Sequence, residues 1–566
     1  DFAGRGEVIR RRYGDRNFVT TREVLAEEAA MAAFARDGRG TCRPFDPHPE
    51  RFAPKQLNRD QADAVRHVLS SSDRVTLIRG AAGTGKTTLL TAAAEEIRAR
   101  GSEVRVFAPT SEAARGVLRK EGFAEAETVA KLLSDRSAQE RVKGKVIWVD
   151  EAGLLGVRDT RQIFRVAQEQ DARVVLVGDE RQHGSVPRGD AFRLLQTQAG
   201  LKPAVVADIR RQQGEYRKAV ADLAGGDLEA GFRRLDRLGS LKEAAGEERH
   251  ARLAEDYLAA AREGKSALVV APTHAEGRAV TARIRAGLQD AGLLGRRERT
   301  VDQLVSRGFT EAERRDGANY QPGDVVRFTQ NARGGFRMGE TATVLSREAD
   351  GRVLAQQASG KPAPLPLDAA RHFDVYERRD LPLAVGDCLR VTRNGVAADG
   401  KGRLLNGSLH RVAGFDHRGN IQLESGPSIP KGFGHVAHGY AATSHASQGK
   451  TVDRVFVACG PESFAAASRE QFYVSVSRGR ESCAVYCENK GDLLDAARRS
   501  SARMSATELA TAPQPRLEVR PTRVTLLVEH IRRSARAALV RIRASARDNP
   551  AGRARVGGRG ESRGRE

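Results

Sequence analysis

Eight consecutive residues, Gly80-Ala81-Ala82-Gly83-Thr84-Gly85-Lys86-Thr87, follow the spacing G-x-x-x-x-G-K-T. That spacing suits the cradling of a phosphate chain. Glycines let successive backbone N–H groups turn inward around phosphate oxygens. A helix opening at Lys86 adds the positive end of its dipole. The Lys86 ammonium would reach the β- and γ-phosphates, and the Thr87 hydroxyl would ligate Mg²⁺. Gly80, Gly83, Thr84, Gly85, Lys86, Thr87 and Thr88 are therefore the expected nucleotide-binding residues, and ATP with Mg²⁺ the expected ligands. A chance glycine-rich turn is the competing reading. The context argues against it, because the apolar run VTLIR precedes the motif and the helix-like TTLLTAAAEEIRAR follows.

Phosphate chemistry of this kind needs a carboxylate at the end of a neighbouring strand. The run VIWV leads directly into Asp150-Glu151-Ala152-Gly153. Asp150 would hold Mg²⁺ through water, and Glu151 would polarise the attacking water. Two adjacent acids can also be a solvated turn or a helix cap, but an apolar run before them and the glycine loop upstream favour the catalytic reading. Trp148, the sole tryptophan, lies on this run and reads as core.

Positioning these groups requires buried strands. Short apolar runs without alternation occur at 75–78, 104–108, 146–149 and 174–177, with helix-like stretches between them. Such runs suit strands buried on both faces, so an α/β fold with a parallel sheet is expected over 54–200. A second α/β region opens at ALVVAPT (267–273), continues in EGRAVTARIRAGL, breaks off, and resumes at DRVFVAC (453–459). The predicted second domain is 201–319 with 431–500. Between its halves, 320–430 is rich in turn signals and reads as a small antiparallel, barrel-like β insertion. Residues 1–53 read as a helical lead-in, with Thr20 or Thr21 as cap and Gly38 and Gly40 at its end. Residues 501–566 read as a basic, partly disordered tail, with one amphipathic helix around 524–543.

Composition narrows the function classes. The 566 residues carry 95 Lys+Arg against 73 Asp+Glu, a net charge of +22. That excess fits a polyanionic partner, nucleic acid first, although a solvated basic surface has the same charge. The cysteines (Cys42, Cys388, Cys459, Cys483, Cys487) form no metal set, and so few thiols fit a reducing, cytoplasmic setting. Cys483 and Cys487 read as small core residues. His435 and His438 read as chance spacing. No apolar run approaches a membrane span and no signal peptide is evident, so membrane insertion is not expected. The chain opens at Asp1 without Met, as a piece of a longer protein would.

From about Leu57 to Arg480, an ordered set of short motifs resembles the superfamily 1 helicases of the RecD-like branch. LNRDQADAV resembles the adenine-recognising segment, which makes Gln61 the base reader. FAPTSEAARGVL and AETVAKLL resemble strand-contacting segments, with Thr110 and Thr128 as DNA contacts. VLVGDERQHGSVPRGDAF resembles the segment coupling hydrolysis to movement, where Gln182 would sense the γ-phosphate and Asp179 would organise the site. IRRQ supplies Arg211 and QFYVSVSRGR supplies Arg478 as arginine fingers. GYAATSHASQGKTVDRVFV places Thr443, His445 and Ser447 on DNA and Gln448-Gly449 near the nucleotide. The resemblance thus implies a catalytic set of Lys86, Glu151, Gln182, Arg211 and Arg478. Taken singly, Arg211 and Arg478 also read as surface arginines, and His445 as a structural histidine. Phe328, Phe336 and Tyr440 are candidate base-stacking residues, with core packing the default for each.

Within that branch the sequence is most similar to the helicase half of TrwC/TraI-type conjugative relaxases, over roughly 15–490. The lead-in NFVTTREVLAEEAAM and the segments GDVVRF, TRNG and NGSLHRV carry that likeness. It implies two RecA-like domains, ATP-driven unwinding with 5′ to 3′ polarity, and single-stranded and duplex DNA as partners, with other relaxosome proteins. The His cluster and nucleophilic tyrosines of a nicking half are not found in this sequence, and Tyr13 is isolated, so relaxase nicking is not predicted. The alternatives are a repair-type RecD-like helicase, an RNA motor of the same superfamily, and a non-catalytic DNA-binding scaffold derived from a helicase.

Overall fold

The computed structural model describes residues 8–13, 16–52, 54 and 56–511. The helix expected around 524–543 and the Arg-rich end of the tail lie outside the described residues.

The apolar runs form a six-stranded sheet in the order Glu127–Thr128, Val104–Ala108, Val146–Val149, Arg173–Gly178, Val75–Gly80, Ala204–Val206, with every neighbouring pair parallel. Successive residues of a strand face opposite sides of a sheet. Ile147 and Leu176 accordingly join a cluster with Phe164 and Met31, while Trp148 and Val175 join another with Ile78 and Leu89. Trp148 is 1% exposed, a core residue. Because Ala204–Val206 pairs with the glycine-loop strand, this unit runs past residue 200.

A second, five-stranded sheet has the order Ala441–Ala442, Ala267–Val270, Val452–Ala458, Gly479–Cys487, Leu241–Glu243, again all parallel. Cys483 and Cys487 are buried in its core. Its strands come from both sides of the antiparallel region, so the chain leaves the sheet and returns to it.

That antiparallel region extends beyond the expected 320–430. It begins with Glu298–Ser306, which pairs along its length with Phe373–Ala384, and ends with Val436–His438. It is also two larger sheets, one of six strands and one of four, with a short two-stranded ribbon of Gly395–Val396 and Arg403–Leu404. Each has its own core, Phe328, Phe336 and Val375 in one and Leu389, Val412 and Ile421 in the other. The long strand Phe373–Ala384 contributes Phe373 to the first core and Leu381 and Leu383 to the second, which joins them. Phe328 and Phe336 are 1% and 2% exposed and stack on each other at 4.5 Å. Tyr440 is 3% exposed and donates its hydroxyl to Asp387 at 2.8 Å. The three candidate base-stacking rings are therefore packing residues.

The lead-in differs from its reading as wholly helical. Strands Val8–Tyr13 and Arg16–Thr21 form a hairpin before the helix Arg22–Asp37. Thr21 is the cap, accepting from the Val24 N–H at 3.3 Å, and Gly38 ends the helix. Its Met31 and Ala35 faces pack into the first domain. The beginning of the expected tail is also ordered. Glu28, 3% exposed, accepts from the N–H of Ala506 (2.9 Å) and of Thr507 (2.7 Å), and so caps the short helix Ala506–Thr511. Glu28 also accepts from the Thr507 hydroxyl at 2.7 Å, so replacing it with alanine strands three donors, at a cost of about 1–3 kcal/mol for each that stays buried. Amide exchange at 506 and 507 should then accelerate while the Lys86–Ala99 helix stays protected. Unchanged exchange there would show the contact to be idle.

Among the described residues no helix is long and apolar enough to cross a membrane.

Candidate nucleotide site between two parallel sheets

Strand Val75–Gly80 delivers the glycine loop to the C-terminal edge of the first sheet, and helix Lys86–Ala99 leaves it. Gly83 and Gly85 have φ of 80° and 75°, the left-handed region that a side chain disfavours. Space forbids one as well. A β-carbon on Gly83 would lie 2.6 Å from Arg211 Cβ, and one on Gly85 2.7 Å from the Gln61 amide. Gln61 is fully buried; it accepts from Asn58 N–H at 3.1 Å and donates to the carbonyls of Thr84 (2.8 Å) and Gly85 (3.2 Å). Its amide braces the loop from behind. Thr87 is half-buried and Thr88 exposed on the helix's first turn.

Asp150 and Glu151 follow strand Val146–Val149, next but one to the loop strand. Glu151 has φ 53°, a strained conformation for a non-glycine residue. Its carboxylate lies 3.8 Å from Lys86 Nζ, which also donates to the Gly80 carbonyl at 3.3 Å. Burial pushes the Glu151 carboxyl up, but Lys86, then Arg478 and the Gln448 amide, outweigh it and hold the group below the ordinary range. Asp150 moves the other way, raised by burial and then by the charge of Glu151. A dry carboxylate beside a second acid is what a divalent cation would relieve. Asp150 with Thr87 therefore fits a Mg²⁺ site, and the glycine loop with Lys86 fits a triphosphate.

Asp179 and Gln182 follow the adjacent strand Arg173–Gly178 and are 6% and 2% exposed. The Gln182 amide donates to Asp179 Oδ2 at 3.0 Å. The same carboxylate oxygen accepts from the Tyr473 hydroxyl at 3.2 Å, and that hydroxyl accepts from the Ala82 N–H at 2.9 Å. Tyr473 belongs to helix Arg469–Val476 of the second domain. It ties that domain to the glycine loop, a role the sequence reading missed, although the residue stands on the same motif as Arg478.

Both arginines lie inside this seam, not on the surface. Arg478 is 2% exposed; its Nε donates to the Val474 carbonyl at 2.8 Å and Nη2 to Ser477 Oγ at 2.8 Å. Arg211 donates through Nη1 to the Ser477 carbonyl at 2.9 Å, and its backbone N–H to the Gly83 carbonyl at 3.2 Å. Burial, then the neighbouring Arg478, lowers the Arg211 guanidinium to about 10. Gln212, also missed in the sequence, donates to the carbonyls of Ser477 and Gly479 and clasps the same turn. Gln448 reaches across to Glu151 at 3.4 Å, with Gly449 beside it in the left-handed region at φ 80°.

The expected DNA contacts divide. Thr110 and His445 are exposed and Thr443 half-buried. Thr128 is 8% exposed, its hydroxyl accepting from Lys131 N–H at 3.1 Å as a helix cap. Ser447 is fully buried and donates to the Ser444 carbonyl at 2.7 Å. Those two hydroxyls make local structural bonds. Thr443 opens onto a cavity of about 810 Å³ between the second sheet and the insertion, lined also by Arg278, Arg379, Arg390 and Arg393.

Two parallel-sheet domains, with a glycine loop and acid pair on one and a buried and a half-buried arginine at their junction, define a two-domain P-loop nucleoside-triphosphatase fold. Residues 56–246 match the family model described as an AAA domain. The chain is similar to the probable conjugal transfer protein TraA of Sinorhizobium fredii (strain NBRC 101917 / NGR234). The two are 26% identical over 484 residues, which cover 82% of this chain and 36% of that protein. It is similar also to the multifunctional conjugation protein TraI of Escherichia coli (strain K12), 26% identical over 527 residues, covering 82% of this chain and 29% of that one. The chain thus spans about a third of the length of these curated relatives. The resemblance drawn from the motifs points to the same conjugal-transfer proteins. Among solved structures, a Pif1 helicase from Bacteroides in complex with ADP-AlF3 and ssDNA aligns over 76% of this chain and 92% of that one. Identity is 16% and the TM-score 0.37.

Proposed function

We propose that this chain is the ATP-driven DNA helicase region of a conjugal-transfer protein, unwinding duplex DNA from a single-stranded segment with 5′ to 3′ polarity. The observation that carries the reading is the meeting of Lys86 and Glu151 from one domain with Arg478 from the other around one carboxylate. In this reading Lys86 holds the phosphate chain, Glu151 orients and polarises the attacking water, and Gln182 senses the γ-phosphate. Arg211 and Arg478 stabilise the charge that spreads over its oxygens in the transition state. Mg²⁺, held by Thr87 and Asp150, would supply charge neutralisation at the phosphates. Because groups of both domains face one nucleotide, binding favours their closure and hydrolysis releases it. A strand lying across both domains, against Thr110, Thr443 and His445, is then gripped alternately. The arginines of the neighbouring cavity suit a phosphate backbone more than base reading.

Strand displacement on matched duplexes tests this, one with a 5′ single-stranded tail and one with a 3′ tail, each with and without ATP–Mg²⁺. Unwinding confined to the 5′-tailed substrate is expected. Preference for the 3′ tail overturns the polarity. Absence of both unwinding and ATP turnover favours a non-catalytic DNA-binding scaffold.

A further inference from the structure

His183 follows Gln182 directly and is 3% exposed. Its ring lies flat against that of His445, with centroids 3.6 Å apart and planes 13° from parallel. His183 extends from the first sheet and His445 stands on the helix Ser444–Ser447 of the second domain, so the stack crosses the seam. The Nε2 atom of His183 is buried without a hydrogen-bond partner among the described residues. A buried ring nitrogen left unpaired costs free energy, and no polar network here recovers that cost. Burial, with His445 and Arg478 beside it, holds the ring at about 3, so it is neutral at any physiological pH. What the side chain offers its surroundings is its aromatic face.

The two ends of this contact lead to different places. His445 is exposed, and Thr443, which caps its helix, opens onto the arginine-lined cavity. In the other direction Gln182 is held on Asp179, which Tyr473 ties to the Ala82 N–H of the glycine loop. A planar ring wedged between these two segments transmits displacement, because packed interiors shift discretely and yield little.

We infer that His183 is a positioning residue that couples occupancy of the strand-facing surface at His445 to the seating of Gln182 at the nucleotide. The inference rests on the helicase reading above. A strand that shifts His445 moves the face on which His183 rests, and the peptide bond between 182 and 183 hands that movement to the amide. Coupling between two binding sites is reciprocal, so nucleotide binding alters strand affinity through the same stack.

The test compares His183→Ala, which removes the ring, with His183→Phe, which restores a planar face. ATP turnover is measured without DNA and with saturating oligothymidylate, and oligothymidylate affinity with and without a non-hydrolysable ATP analogue. The alanine variant should keep basal turnover within about twofold while its stimulation by DNA falls about tenfold, the scale of a modest coupling between sites. The nucleotide effect on oligothymidylate affinity should shrink with it, and the phenylalanine variant should regain most of both. Full stimulation in the alanine variant overturns the inference. Equal loss of basal and stimulated turnover also overturns it, since that marks a merely structural role, as does a phenylalanine variant no better than alanine. Melting curves separate a folding defect, and His183→Leu, which keeps bulk without a planar ring, replaces alanine if that variant does not fold. An unmodified chain that DNA does not stimulate at all overturns the helicase reading itself, a result distinct from a loss confined to position 183.

Discussion

Replacing Arg478 with alanine should lower DNA-stimulated ATP turnover by about 10³–10⁵, the range that arginine fingers supply to phosphoryl transfer. The guanidinium is 2% exposed and is aimed by its bonds to Val474 and Ser477 at the end of helix Arg469–Val476. It is among the cations that hold Glu151 ionised. Burial in turn lowers its own proton affinity, and Glu151 opposes that shift. A cation kept dry beside the reacting phosphate is worth far more than one in water, because little solvent screens it. Nucleotide affinity should fall much less than turnover, since the charge it meets develops mainly in the transition state. Arg478→Lys should recover little, because a compact ammonium lacks the planar fork. The measurements are steady-state turnover with oligothymidylate and ADP affinity, with a melting curve to exclude unfolding. Turnover within a few-fold of the unmodified chain would remove Arg478 from the catalytic set.

Replacing Lys86 with alanine should abolish turnover while leaving DNA binding largely intact. Loss of one preorganised charge at a reacting centre costs about 10²–10³ in rate, and here the loss is compounded. Lys86 is the strongest of the cations holding the Glu151 carboxyl down against burial, so its removal raises the proton affinity of the group that must stay ionised. Asp150 loses an opposing cation as well. The expected strand contacts Thr443 and His445 stand on the other domain, so affinity for oligothymidylate measured without nucleotide should hold. Persistent DNA-stimulated hydrolysis in this variant would sink the assignment of the loop as the phosphate site.

The features legible from residue order alone are the local ones. The glycine loop declares itself because eight adjacent residues set a backbone path, and Gly83 and Gly85 do occupy the left-handed conformation that the spacing implies. The runs at 75–78, 104–108, 146–149 and 174–177 declare buried strands because a strand covered on both faces carries few polar positions. The Thr21 cap and the helix end at Gly38 follow from backbone groups within one turn. Contacts between distant segments were not legible in this way. Nothing in Glu298–Ser306 marks it as the partner of Phe373–Ala384, so the insertion appeared too short and as one body instead of two. The pattern before Arg22 does not announce a hairpin, and Ala506–Thr511 is anchored by Glu28, from the far end of the chain, and by Arg193. The likeness of LNRDQ to a base-reading segment did not reveal that the Gln61 amide also braces the loop through Thr84 and Gly85. Arg211 and Arg478, interchangeable in sequence with any exposed arginine, lie half-buried and buried at the seam because two sheets pack against each other there. The Tyr473 bridge and the His183–His445 stack exist only across that seam. Spacing along the chain specifies backbone conformation and burial, whereas which side chains meet is decided when whole sheets pack.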